Sequence, residues 1–176
     1  MEKEYQLLNR ILELREKTKC TKFIGAITTE LIRNELISEK LNISNRDVFI
    51  ESVPYEIDLL VLKKGSKPLE NIVYRANDVL VAFEIKFRGA YSREAISNVQ
   101  RTFKHIKDVN KNIKCIYLMF SENVNYKYWT EEKKLGDRSF LLLERSTSLE
   151  SAMKRNILKS TGDWNKFIEF IKTISK

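Results

Sequence analysis

Apolar and polar side chains alternate through YEIDLLVL at 55–62 and again through VLVAFEIKF at 79–87, which predicts two strands, each with two distinct faces. In the first, Glu56, Asp58, Leu60 and Leu62 share one face and Ile57, Leu59 and Val61 the other. In the second, Val81, Phe83, Ile85 and Phe87 oppose Leu80, Ala82, Glu84 and Lys86, so Glu84 and Lys86 project together. Ahead of these strands Leu7, Leu8, Ile11 and Leu14 recur at helical spacing and predict a helix over 3–17. After a break at Lys19-Cys20-Thr21, Ile24, Ile27, Leu31 and Ile32 predict a second. Asp47 to Ile50 reads as a short strand, and Val53-Pro54 as a connection, because proline cannot donate to a central ladder.

Downstream, Gly89 breaks the strand and Ser92 is a candidate N-cap for a helix whose apolar stripe is Ile96, Val99, Phe103 and Ile106. The nearly continuous apolar run from Ile113 to Phe120 follows, and strand, helix, strand in this order predicts a parallel crossover. Phe140 to Leu143 is expected to add an edge strand. Asp163 is expected to cap a last helix that turns Trp164, Phe167, Ile168 and Ile171 inward. The predicted class is α/β, a mixed sheet of four to five strands flanked by helices in α-β-β-β-α-β order. One domain is expected over 1–176, with a core at about 22–120, an added helix at 3–17 and an added strand and helix at 139–174.

Composition changes this picture in a few respects. With 43% apolar residues, 176 residues suffice for one real core and are too few to expect two domains. The start, MEKEYQLLNRILELREK, lacks the apolar run of a signal peptide, and no segment reaches membrane-spanning length, so a cytoplasmic protein without a membrane partner is expected. Cys20 and Cys115 are too few for a zinc cluster and are read as reduced. The net charge of +8 favours polyanionic partners through counterion release. Arg93, Arg101, Lys104 and Lys107 on one helix flank, with Lys63, Lys64 and Lys67 in the loop after the first strand, are candidates to track a phosphate backbone; a solvated basic face is the plain alternative.

Asp58, Glu84 and Lys86 interrupt the most apolar segments, and charged side chains are rarely placed there without a partner or a ligand. Phosphodiester hydrolysis needs shielding of phosphate charge, a nucleophilic water and help for the leaving oxygen, all of which a divalent ion on oxygen ligands supplies. Magnesium takes one or two carboxylates, so Asp58 and Glu84 would serve, with the backbone carbonyl of Ile85 as a further ligand. Lys86 could orient or help deprotonate the attacking water and stabilise charge on the phosphate. The plain alternative is an acid–lysine ion pair on a solvated strand. A lone histidine, His105, excludes a two-histidine metal site and a Ser-His-Asp arrangement, and no phosphate-binding glycine loop is present. Trp129 and Trp164 are read as core or interface anchors.

With Asp58 as the isolated acid and Glu84-Ile85-Lys86 as the acid-x-lysine element, residues 22–120 resemble the PD-(D/E)XK, or restriction-endonuclease-like, nuclease superfamily. That resemblance implies the same mixed sheet, with the acids on its second and third strands. It also implies a glutamate on the preceding helix as a third catalytic and metal-binding candidate, here Glu30 in GAITTE. Gln100 is similar to a polar helix residue that some members aim at the site. A closer likeness, to an uncharacterised group of nuclease-like domains, rests on GAITTELIRNEL, EIDLLVL and VAFEIKF. The chain departs from the superfamily pattern at its proline, since Pro54 lies four positions before Asp58, and Glu56, on the face of Asp58, is either a further acid at the site or, as the plainer reading, a solvated strand-end residue. The expected function is a Mg2+-dependent endonuclease, with Mn2+ able to substitute, acting on nucleic acid, DNA in the first instance, with a homodimer as one arrangement that would cut both strands. The alternatives are a non-catalytic nucleic-acid-binding protein of the same fold and a nuclease subunit that needs a partner.

Overall fold

A computed structural model describes residues 2–18, 23–87, 93–122 and 135–175. Helix α1 (Lys3–Thr18) buries Leu7, Leu8 and Ile11 of its expected stripe and leaves Leu14 partly exposed, and α2 (Ile24–Ser38) buries Ile24 and Ile32, with Ile27 and Leu31 only partly covered and Leu36 added to the buried set. There follow β1 (Phe49–Ile50), β2 (Leu59–Leu62), β3 (Val73–Tyr74), a 3-10 turn at Ala76–Asp78 and β4 (Val79–Lys86). Helix α3 (Arg93–Val109), β5 (Lys114–Glu122), β6 (Arg138–Glu144), α4 (Leu149–Lys154), β7 (Lys159–Ser160) and α5 (Asp163–Ile174) complete the chain.

The main sheet has five strands in the order β2-β4-β5-β6-β7. Its outer pairs, β2 with β4 and β6 with β7, are antiparallel, while β4, β5 and β6 run parallel, joined between β4 and β5 through α3 as the crossover pattern predicts. Alternation along the strands sorts the interior into two cores. Leu59, Val61, Val81, Phe83, Ile85, Phe87, Ile116 and Phe140 pack with α1, α2 and α5. Leu60, Leu62, Ala82, Cys115, Tyr117 and Met119 pack with Ile96, Val99, Phe103 and Ile106 of α3. Phe167 sits at the centre of the first core, in edge-to-face contact with Phe83 and Phe140 and tilted against Trp164.

Several expectations are corrected. The strand expected from Tyr55 begins at Leu59; ahead of it Ile57 makes only an isolated antiparallel bridge with Val48. The short strand at 47–50 narrows to Phe49–Ile50 and pairs in parallel with β3, in a separate two-stranded sheet. The strand around Phe140 to Leu143 is not an edge, because β7 pairs along its outer side. Asp163 is the first helical residue rather than the cap of α5. Its buried carboxylate accepts the Leu141 N–H at 3.2 Å and the Lys166 ammonium at 2.9 Å, tying the helix to β6, while Gly162 takes the cap position with φ 69°. Gly89, Ser92, Cys20 and Trp129 lie outside the described residues. Cys115 is a free, buried thiol whose pKa burial pushes up to about 12, which leaves it inert. Among the described residues no helix is long and apolar enough to cross a membrane.

Candidate active site

Asp58 stands one residue before β2, and its position follows from the sheet register. Leu59 pairs with Phe83 and Leu60 with Ala82, so one further step of this antiparallel pair brings Asp58 alongside Glu84. The Asp58 carboxylate is fixed there by the backbone N–H of Ile85, which donates to its Oδ2 at 2.6 Å. On β4, Glu84 and Lys86 extend to the same side, as alternation requires, and the Lys86 ammonium donates to Glu84 Oε1 at 2.6 Å. The two acids and the lysine predicted from sequence are therefore neighbours at one end of the sheet.

Asp58, Ile85, Lys86 and Phe87 line a cavity of about 370 Å³ together with Asp47 and the first turns of α2, represented by Ile24, Gly25, Ala26 and Thr29. Burial pushes the Asp58 pKa up to about 7, and the charges of Glu84 and Asp47 add to the rise, against the Ile85 N–H and Lys86, which favour the carboxylate. Burial alone would lower the Lys86 pKa, but the charge and hydrogen bond of Glu84 and the charge of Asp58 outweigh it, so the value rises and Lys86 is an ammonium at neutral pH. In this state Lys86 can donate a hydrogen bond and stabilise negative charge.

The donor set fits a hard divalent cation. A half-buried carboxylate held beside a second one, at a cost to its ionisation, is relieved by a positive ion, and two carboxylates with a backbone carbonyl are oxygen ligands of the kind magnesium accepts. Among the described residues no group of three or more His, Cys, Asp or Glu side chains is arranged to hold a metal. Glu30 lies one residue beyond the lining Thr29, and its carboxylate is held by Arg33 and by Arg46, each at 3.2 Å. Arg46 also donates to the Ala26 carbonyl at 3.0 Å, so this ion-pair cluster braces the start of α2 beside the cavity. Glu56 is exposed.

The residues expected to meet nucleic acid are spread more widely. Lys63 and Lys64 leave β2 at the end opposite Asp58 and line a separate concavity with Lys67 and Arg75. On α3, Arg101 stacks over Tyr55 with 5.3 Å to the ring centroid, and Lys107 pairs with Asp137 at 2.6 Å. Gln100 and Lys104 border another cavity, formed with Lys107, Cys115 and Asp137, and not the one that holds Asp58. His105 lies edge-on to Tyr55. Arg93 is the first residue of α3, and its side chain lies outside the described ones. Two residues of the Asp58 cavity, Asp47 and Thr29, carry no functional signal in the sequence. Asp47 adopts φ 56°, a turn geometry that its strand-like neighbours VFI conceal, and Thr29 sits inside a helical segment like any other threonine.

A mixed five-stranded sheet covered by helices on both faces, with paired acids at the end of a central and an edge strand, defines a nuclease-like α/β fold. Two solved structures share it, both of NucC in the cAAA-bound form. The E. coli MS115-1 protein matches with a TM-score of 0.50 at 15% identity, over 66% of this chain and 59% of that one. The P. aeruginosa ATCC27853 protein matches with a TM-score of 0.51 at 12% identity, again over 66% and 59%. This chain thus spans 59% of the NucC chains it resembles, and at such identity the likeness is one of fold. No family model and no curated protein sequence matches the chain.

Proposed function

We propose that this protein is a metal-dependent phosphodiesterase that cuts nucleic acid internally, DNA in the first instance. The observation that carries the reading is the Asp58–Ile85 hydrogen bond, which locks one carboxylate beside Glu84 and within the cavity lined by the Lys86 ammonium. Asp58, Glu84 and the carbonyl of Ile85 would hold Mg2+ or Mn2+, with Glu30 joining if it releases Arg33 or Arg46. When bound, such an ion neutralises phosphate charge and lowers the pKa of an attacking water. Lys86, being charged, orients that water through its N–H groups and offsets negative charge on the phosphate as the bond to the leaving oxygen breaks. The fold likeness to NucC and the net charge of +8 are compatible with this reading.

Incubation of the purified protein with supercoiled plasmid and Mg2+ or Mn2+ is expected to give nicked and linear products. EDTA and Asp58→Ala are expected to abolish them, and Lys86→Ala to slow them at least about 100-fold, the scale of a missing transition-state donor. Cleavage by Lys86→Ala at the wild-type rate would refute the mechanism. Binding without product under every divalent ion would favour a non-catalytic nucleic-acid-binding protein. Sedimentation of the active species would show whether two copies act together, as cutting both strands of a duplex suggests.

A further inference from the structure

Asp58 and Lys86 form one wall of the cavity, and the start of α2 forms another, where Ile24, Gly25, Ala26 and Thr29 line the same space. Among the described residues no side chain caps α2, and its first turn holds no acidic residue, so nothing within the helix itself offsets its positive end. Gly25 is exposed, and a Cβ built on it would meet nothing within 4 Å, so its backbone can be approached closely.

Thr29 supplies the second observation. Threonine hydroxyls inside helices usually bond back to the carbonyl four residues earlier, as Thr28 does to Ile24 at 2.7 Å. Thr29 is only 4% exposed and lines the cavity, yet its hydroxyl has no hydrogen-bond partner among the described residues. Its oxygen therefore keeps its hydrogen-bonding capacity for whatever occupies the cavity. Around the same cavity stand Lys86 and the helix N-terminus, which attract an anion, and the carboxylates of Asp58 and Asp47, which repel one unless a cation lies between.

We infer that the first turns of α2 are a phosphate-binding subsite, in which the N–H groups of Gly25 and Ala26, Thr29 Oγ1 and Lys86 Nζ receive the oxygens of a phosphodiester. Resting on the nuclease reading, the inference gives the cavity its polarity: Asp58 on one wall, with Glu84 beside it, takes the cation, and the α2 wall takes the phosphate of the strand to be cut. It also gives the Arg46–Ala26 and Arg46–Glu30 pairings a purpose, since they hold the turn that presents these donors.

The test separates binding from cutting. Affinity for a fluorescein-labelled 12-nucleotide DNA strand is measured by anisotropy in EDTA at fixed salt, and cleavage of the same strand is followed separately with Mn2+. Thr29→Val, which keeps the shape and removes the hydroxyl, is expected to weaken binding about 3- to 10-fold, the worth of one hydrogen bond, and Thr29→Ser to restore it. Gly25→Leu, which fills the open space, is expected to weaken it more than 10-fold while the thermal midpoint does not fall. In cleavage the effects are expected in KM as well as kcat. If Thr29→Val and Gly25→Leu bind and cut like the wild type, the subsite is refuted while the nuclease reading stands. If the wild type binds and never cuts, and the variants bind more weakly, the subsite stands and the nuclease reading falls. A wild type that binds no strand at low salt overturns the subsite.

Discussion

At the scale of single residues, Asp58 shows stability being exchanged for chemistry. Its charge is half-buried beside that of Glu84, which no fold requires for its own sake, and its pKa is raised first by burial and then by the charge of Glu84. Asp58→Asn removes the charge and keeps an oxygen for the Ile85 N–H. In EDTA at pH 8 the variant is expected to melt several degrees above the wild type, on the scale of about 1 to 2 kcal/mol for a relieved buried charge in a domain of this size, and to lose cleavage. Melting below the wild type would mean that Asp58 is a structural group. Asp58, Glu84 and Lys86 were legible in the sequence because charged side chains in an otherwise apolar strand are costly and alternation fixes which of them share a face. Thr29 and Asp47 were not. Nothing in a helical threonine reveals that its hydroxyl lacks a partner, and the turn that brings Asp47 to the cavity depends on a positive φ just ahead of the strand-like VFI.

At the scale of elements, the long members were readable and the short ones were not. The helices at 3–18, 24–38 and 163–174 and the strands β4 and β5 carry enough periodic residues to define a face. By contrast β1, β3 and β7 each have two residues, and such pairings exist because a partner strand happens to pass, which no local pattern encodes. The clamp that joins α3, β5 and the approach to β6 was equally hidden. Asp137 receives the Cys115 N–H at 2.7 Å and pairs with Lys107 at 2.6 Å and Lys114 at 3.5 Å. Burial alone would raise its pKa, but these donors outweigh it and hold the value below the ordinary one. A depressed carboxylate contributes stability that is present above its unfolded pKa, near 3.9, and is lost as pH falls through the lower folded value. Asp137 is exposed, so solvent screens these pairs, and Asp137→Asn is expected to cost at most about 1 kcal/mol at pH 7, a cost that shrinks progressively as pH falls below about 4, as read by urea denaturation across that range. A gap that stays constant with pH would show that the amide is tolerated poorly for its shape, not for its missing charge.

At the scale of the whole molecule, strand β2 separates the basic loop at 63–67 from the site acids. Asp58 precedes β2 and Lys63 follows it, five residues on, so at a strand rise of about 3.3 Å the basic loop lies roughly 16 Å from the site. Lys63, Lys64, Lys67 and Arg75 line one concavity there, with Asp78 the acid among them. Gathering like charges is unfavourable unless a polyanion visits, and a duplex advances about 3.4 Å per base pair, so the loop could meet the backbone roughly five base pairs from a phosphate held at the site. Replacing Lys63, Lys64 and Lys67 together by Gln should leave catalysis on a bound strand intact and weaken binding. The slope of log affinity against log salt should fall by about 0.9 for each phosphate of duplex DNA that the loop no longer neutralises. The decisive comparison is length. Duplexes long enough to reach from cavity to loop should show the change in slope, and duplexes of about four base pairs should not. The same fall in slope at both lengths would mean that the loop acts only as diffuse surface charge, whereas no change at either would remove it from the path of the nucleic acid.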